Sequence, residues 1–109
     1  MGSLSTAMYP ETLRSIASAS VSATYAAVGT PLAHPIRIIR FTNASTHDVT
    51  ISWDGATDHE YVASGTSLLI DVSTNKEAAL AFDIPQNTQF YVKGTAGTGT
   101  IYISAYFGK

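Results

Sequence analysis

Apolar side chains recur at every second position through most of this chain, and that period restricts its fold more than any other feature. A two-residue repeat puts alternate side chains on opposite faces of an extended strand, so it describes half-buried β-strands rather than amphipathic helices. In "TIYISAYF", Ile101, Ile103, Ala105 and Phe107 share one face. "DVTISW" sets Val49, Ile51 and Trp53 against Thr50 and Ser52, "SVSATYA" sets Val21, Ala23 and Tyr25 against Ser20, Ser22 and Thr24, and "ALAFDI" offers Leu80, Phe82 and Ile84. With "IRIIRF", "EYV", "SLLIDV" and "QFYVK", about eight short strands separated by turn residues emerge. The expected fold is all-β: an antiparallel β-sandwich or a jelly-roll-like small barrel.

A chain of 109 residues can bury one modest core, and residues 20–109 form that single domain. Residues 1–19 are rich in Ser and Ala and read as an extended N-terminal arm, of a kind that can lie on a neighbouring subunit. Within it only Pro10 to Ala17 could hold a helical turn, with proline near the first helical position. "MGSLSTAMYPETLRS" lacks the basic start and apolar core of a signal peptide, and no apolar run approaches bilayer length. A soluble chain that does not use the usual export route is expected.

Charged residues make up only 13% of the chain, so little of its surface can be covered by charge, and such a surface favours contact with other protein. The net charge of −2 and the scattered Lys and Arg supply no basic footprint, which argues against nucleic acid and anionic membranes as partners. Cysteine is absent, removing disulfides and thiolate chemistry.

The glycine-rich "GTAGTG" at 94–99 lies between two alternating runs and predicts a hairpin. Pairing Lys93 with Thr100 sets Val92 opposite Ile101 and Phe90 opposite Ile103 on the core face, and Tyr91 opposite Tyr102 on the other, with Tyr106 further along it. Tyr91, Tyr102 and Tyr106 are therefore interface candidates, since tyrosine presents a large rigid ring with a polar tip. The plainer alternative stacks them beneath the arm of the same chain.

The segment "SWDGATDHEY" gathers Asp54, Asp58 and Glu60 around His59. Clustered carboxylates suit a hard cation, but the spacing does not fit an EF-hand, and a polar turn closed by Asp54-Gly55 suffices. Trp53 belongs with the inward set as core or interface anchor. His34, His47 and His59 lack zinc-ligand spacing, and no G-x-S-x-G elbow marks a hydrolase. Gly94, Gly97 and Gly99 precede a strand rather than a helix, so they do not form a phosphate loop. "NAS" at Asn43 matches the glycosylation sequon, a signal that matters only in a eukaryotic secretory setting. No catalytic, metal or cofactor site is expected.

Taken together, "IRIIRFTNASTHDVTISWDGATDHEYVASGTSLLIDVSTNK" and "IPQNTQFYVKGTAGTGTIYISAYFGK", about residues 36 to 109, resemble a family of small structural proteins of tailed bacteriophages. The resemblance lies in a strand ending in "FTN", a "DG…DH" turn, an apolar "LLIDVSTNK", then "IPQNTQFYVKG" and a closing "IYISAYF". It implies a non-enzymatic virion component, a homo-oligomeric capsid cement subunit or a head-to-tail collar or connector subunit. Its partners would be other virion proteins such as capsid, portal or tail components. It also implies that Asp54, Gly55, Asp58 and His59 hold a turn in place. The rival class is a carbohydrate-binding β-sandwich using Tyr91, Tyr102 and Tyr106, or Trp53, as stacking platforms.

Overall fold

In a computed structural model that describes residues 7–72 and 83–108, alternation becomes two facing antiparallel sheets. The strands are β1 (Met8–Pro10), β2 (Arg14–Ala17), β3 (Ala26–Ala27), β4 (Ile38–Ser45), β5 (Val49–Ser52), β6 (Glu60–Val62), β7 (Ser67–Asp71), β8 (Tyr91–Gly94) and β9 (Gly99–Gly108), with a 3-10 turn at Ser18–Ser20. One sheet runs β1-β9-β4-β7, with β2 also on β9; the other runs β3-β8-β5-β6. The protein is a β-sandwich, and no α-helix occurs among the described residues.

The inward halves of the alternating runs meet between the sheets. Ile39, Phe41, Ile101, Ile103 and Ala105 from one sheet face Val49, Ile51, Val62 and Val92 from the other, all buried. Phe90 sits edge-on to both Phe41 and Trp53, with ring centroids 5.2 Å apart in each pair. Such contacts add about 0.5–1.5 kcal/mol per pair beyond the burial of the rings. Trp53 is half-buried and packs against this core. Of "ALAFDI", Leu80 and Phe82 lie outside the described residues, while Ile84 is buried and bridges to Ile36.

Three expectations are corrected by the structure. Residues 20–25 do not form a strand: Val21 is buried, but the Ser22 hydroxyl accepts from the Thr24 amide at 3.2 Å and turns the chain. Such local side-chain bonds compete directly with strand pairing. Pro10 to Ala17 holds no helical turn. Instead Tyr9 pairs with Phe107 and Pro10 with Tyr106, while Arg14 to Ala17 pairs with Ile103 to Thr100. Strand β9 supplies backbone partners along its whole length, and an outer strand is where a proline lacking N–H is tolerated.

The third correction concerns the hairpin. β8 and β9 belong to different sheets: Lys93 pairs with Thr50, and Thr100 pairs with Ala44. The 94–99 loop crosses the sandwich and packs against the turn between β4 and β5, where the Thr46 amide donates to the Thr98 carbonyl at 3.1 Å. A Cβ at Gly99 would lie 2.1 Å from the Ala44 carbonyl oxygen, and one at Gly97 would lie 2.3 Å from the Thr46 hydroxyl. These glycines permit a close crossing rather than a tight hairpin.

Candidate assembly surfaces

The sheet assignment separates the three candidate tyrosines. Tyr102 and Tyr106 alternate with buried Ile101, Ile103 and Ala105, so they lie on the outer face of the five-stranded sheet. Tyr91 lies on the outer face of the opposite sheet, beside Thr50 and Ser52 of β5. The shared three-tyrosine face does not exist, because it depended on the hairpin pairing.

The cross-strand registers assemble the outer face of the five-stranded sheet. Tyr106 lies between Pro10 and Ile38, Ser104 beside Arg40 and then Leu69, and Tyr102 between Ser15 and Thr42. Met8 and Leu13 add exposed apolar surface from the arm, and Leu69 is 59% exposed. Within the paired strands of this face only Arg40 and Asp71 carry charge. Among the described residues neither the Tyr102 nor the Tyr106 hydroxyl has a hydrogen-bond partner. A shallow depression lies between β1 and β2, lined by Pro10, Glu11, Leu13, Ser104, Ala105 and Tyr106.

The outer face of the four-stranded sheet is tied down internally. The Tyr25 hydroxyl donates to Asp58, which also pairs with Lys93 at 3.0 Å, and the Lys93 ammonium sits 4.8 Å from the Tyr25 ring centre. Desolvation, with the Asp58 hydrogen bond and the nearby negative charges of Asp58 and Asp54, pushes the Tyr25 phenol up to about 12. The Tyr61 hydroxyl donates to Asp48 at 2.5 Å, and Asp48 also accepts from the Ser64 amide at 2.8 Å. The Tyr91 ring lies over Gly55, where an added Cβ would approach it to 3.1 Å.

The "SWDGATDHE" segment folds from its own polar atoms. The Asp54 carboxylate accepts from the amides of Ala56 and Thr57, both at 2.8 Å, and from the Ser52 hydroxyl at 2.8 Å. The Ser52 hydroxyl in turn accepts from the amides of Asp54 and Gly55. Gly55 takes a positive φ of 81°. The bonds from the Ala56 and Thr57 amides, with that from Ser52, hold the Asp54 carboxyl well below the usual carboxylate range. His59 Nδ1 accepts from the Trp53 amide at 3.0 Å. Asp58 points away toward Tyr25 and Lys93, and no group of three His, Cys, Asp or Glu side chains suited to a metal occurs among the described residues.

Two polar clusters were not singled out from the sequence. Glu11, on the arm, accepts from Arg14 at 2.8 Å and the Ala33 amide at 3.3 Å, and its second oxygen lies 2.7 Å from His34 Nδ1. Arg14 is 7% exposed and donates to the carbonyls of Thr30 at 2.7 Å and Pro31 at 2.9 Å. Burial pushes the Glu11 carboxyl up, but its bonds to His34, Ala33 and Arg14 leave it below its ordinary value. The His34 ring stacks on Phe107, with centroids 3.6 Å apart. Asn43 is fully buried, donating to the carbonyls of His47 and Val62 and accepting from Ser45. Its amide joins β4 to the following turn and to β6, so it is closed to glycosylation in the fold. The one available clue was a polar residue at an inward position of an alternating run.

No protein-family model matches the sequence, and no curated protein sequence matches it significantly. No described helix is long and apolar enough to cross a membrane. Among solved structures, this chain is similar to a protein of Bacillus endospore appendages, described as a novel family of disulfide-linked pili. The TM-score is 0.53 over 94% of this chain and 88% of that one, at 17% identity, a likeness in fold.

Proposed function

We propose that this chain is a non-enzymatic structural subunit that assembles with copies of itself through the outer face of the five-stranded sheet. The observation that carries this reading is the face itself: Met8, Leu13, Ile38, Leu69, Tyr102 and Tyr106 on a surface nearly without charge. The paired strands β1 with β2, β9, β4 and β7, at about 3.3 Å per residue and about 4.8 Å between rows, span on the order of 500 Å². That is somewhat more than half of the roughly 800 Å² each partner buries in a standard interface. Buried tyrosines and aliphatic side chains are what permanent interfaces use at their centres.

Likeness in fold to an appendage protein supports a polymer-forming role. Without cysteine, this chain would assemble without disulfides. The finer reading, a bacteriophage virion subunit at the capsid surface or the head-to-tail neck, draws its support from the strand-and-turn cadence of residues 36 to 109. The carbohydrate-binding alternative calls for tyrosines in a groove lined by Asn or Asp. Tyr102 and Tyr106 instead lie on a sheet face beside Ser104, Thr42 and Arg40.

Solution mass at micromolar concentration, followed by electron microscopy of any assembled fraction, tests this. A closed ring supports a collar or connector, and an open filament supports an appendage-like fibre. A chain that stays monomeric at high micromolar concentration refutes self-assembly.

A further inference from the structure

We infer that the N-terminal arm is an exchangeable strand pair: β1 and β2 of one copy occupy the β9 edge of a second copy, where they lie within their own chain in this structure. This deepens the assembly reading and rests on it.

The arm's attachments are of a kind that another copy can supply. β1 and β2 pair with β9 alone, together covering one edge from Thr100 to Gly108. Uncovered, that edge would present a long row of unpaired N–H and C=O groups, which sheet proteins avoid leaving open. The body therefore requires an arm, and backbone pairing is indifferent to which chain provides it.

The side-chain latch has the same property. Glu11 and Arg14 are both on the arm, while their outside partners, the Thr30 and Pro31 carbonyls, the Ala33 amide and the His34 ring, are on the body. A second copy's arm would find the same partners, leaving neither charge buried and unpaired. Burial and several charge-assisted hydrogen bonds to named partners make this a specific address rather than a sticky edge.

The connection suits exchange. From 18 to 24, Ala19, Ser20, Ser22, Ala23 and Thr24 are exposed, and Val21 is the one apolar anchor. Seven extended residues reach about 23 Å, enough to carry the arm to an adjacent body. At the start of this segment the Ser18 hydroxyl is buried without a partner among the described residues, a local cost of the closed form that opening would relieve. Exchange of an identical element between protomers retains every arm contact and adds the connections between subunits.

The absence of cysteine allows a clean test. Ala17 and Thr100 are directly paired across β2 and β9, and antiparallel partners lie about 4.5–5.5 Å apart at Cα, within disulfide reach. Chains carrying only Ala17→Cys, isotopically labelled, and chains carrying only Thr100→Cys are refolded together and oxidised. The assembled fraction is then mapped for a disulfide peptide joining positions 17 and 100. Exchange predicts this mixed cross-link at least 10-fold above a control pairing Ala17→Cys with Ser64→Cys. If an assembly forms with no mixed cross-link above control, while the double variant closes within single chains, exchange is wrong and assembly stands. If every variant is monomeric and the double variant closes internally, both readings fail. Ser15→Cys with Tyr102→Cys, the next paired positions, gives the same readout should the first pair misfold.

Discussion

The two outer faces of the sandwich carry the same residue type to different ends. On the four-stranded sheet and its loops, Tyr25 and Tyr61 spend their hydroxyls on Asp58 and Asp48, and the Tyr91 ring caps Gly55. On the five-stranded sheet, Tyr102 and Tyr106 lie among Ile38, Leu69, Ser104 and Thr42, with no described hydrogen bond to either hydroxyl. A tyrosine is informative about partners only once its neighbours are known. Ringed by carboxylates it stabilises its own fold, and set on a nearly uncharged sheet it is available to another surface.

Placing charge on the less polar face should have the largest effect. Leu69→Asp with Tyr106→Asp should weaken self-association by more than about 100-fold, since burying two unpaired carboxylates at an interface centre opposes association strongly. The melting temperature of the monomer should move by no more than about 5 °C, as neither side chain belongs to the buried core. Analytical ultracentrifugation beside calorimetry separates the two effects, and unchanged association would remove this face from the assembly.

Next in size is Gly55→Ala, which forces a Cβ into a left-handed conformation and against the Tyr91 ring. It should cost about 1–2 kcal/mol, lowering the melting temperature by about 5–10 °C. A neutral result would mean the turn is not held as described.

The tyrosine–carboxylate face should also be sensitive to pH. Tyr25 has a folded value of about 12, above the ordinary 10, so the fold retains its proton after an unfolded chain would lose it. Its contribution is complete below pH 10 and fades as pH rises from 10 to 12. Asp54 is shifted down, so its contribution is complete above the ordinary carboxylate value of 3.8 and fades as pH falls below it. Thermal melts of wild type and Tyr25→Phe across pH 9 to 12 should converge at the alkaline end; parallel curves would exclude Tyr25 as the source.

Smallest of all should be Tyr61→Ser with Tyr91→Ser. These remove rings from the internally bonded face, and self-association should change by less than about twofold. A loss comparable to the Tyr106 variant would make both faces interfaces, and the contrast between them would disappear.

Particular residues mark how far two-residue periodicity alone reaches. Ile101, Ile103 and Ala105 are buried where alternation puts them, as are Val49 and Ile51, because a pleated strand leaves no other choice of face. The Asp54-Gly55 turn was legible because its bonds join residues within five positions of one another. Glu11, Arg14 and His34 were not, since they meet across up to 23 residues and none has a motif. Asn43 showed only a sequon match, while its amide bridges 19 residues to the Val62 carbonyl.

Two-residue periodicity fixes which side chains point inward and which outward, whichever strand lies alongside. Which strands lie alongside is set by the packed fold. The 94–99 loop could have closed a hairpin or crossed between sheets with the same residues facing inward in either case. The close approach of Gly97 and Gly99 to the turn at 44–47 selected the crossing, and with it the separation of Tyr91 from Tyr102 and Tyr106. Local periodicity carries no information on strand partners, because these are chosen by contacts between segments far apart in the chain.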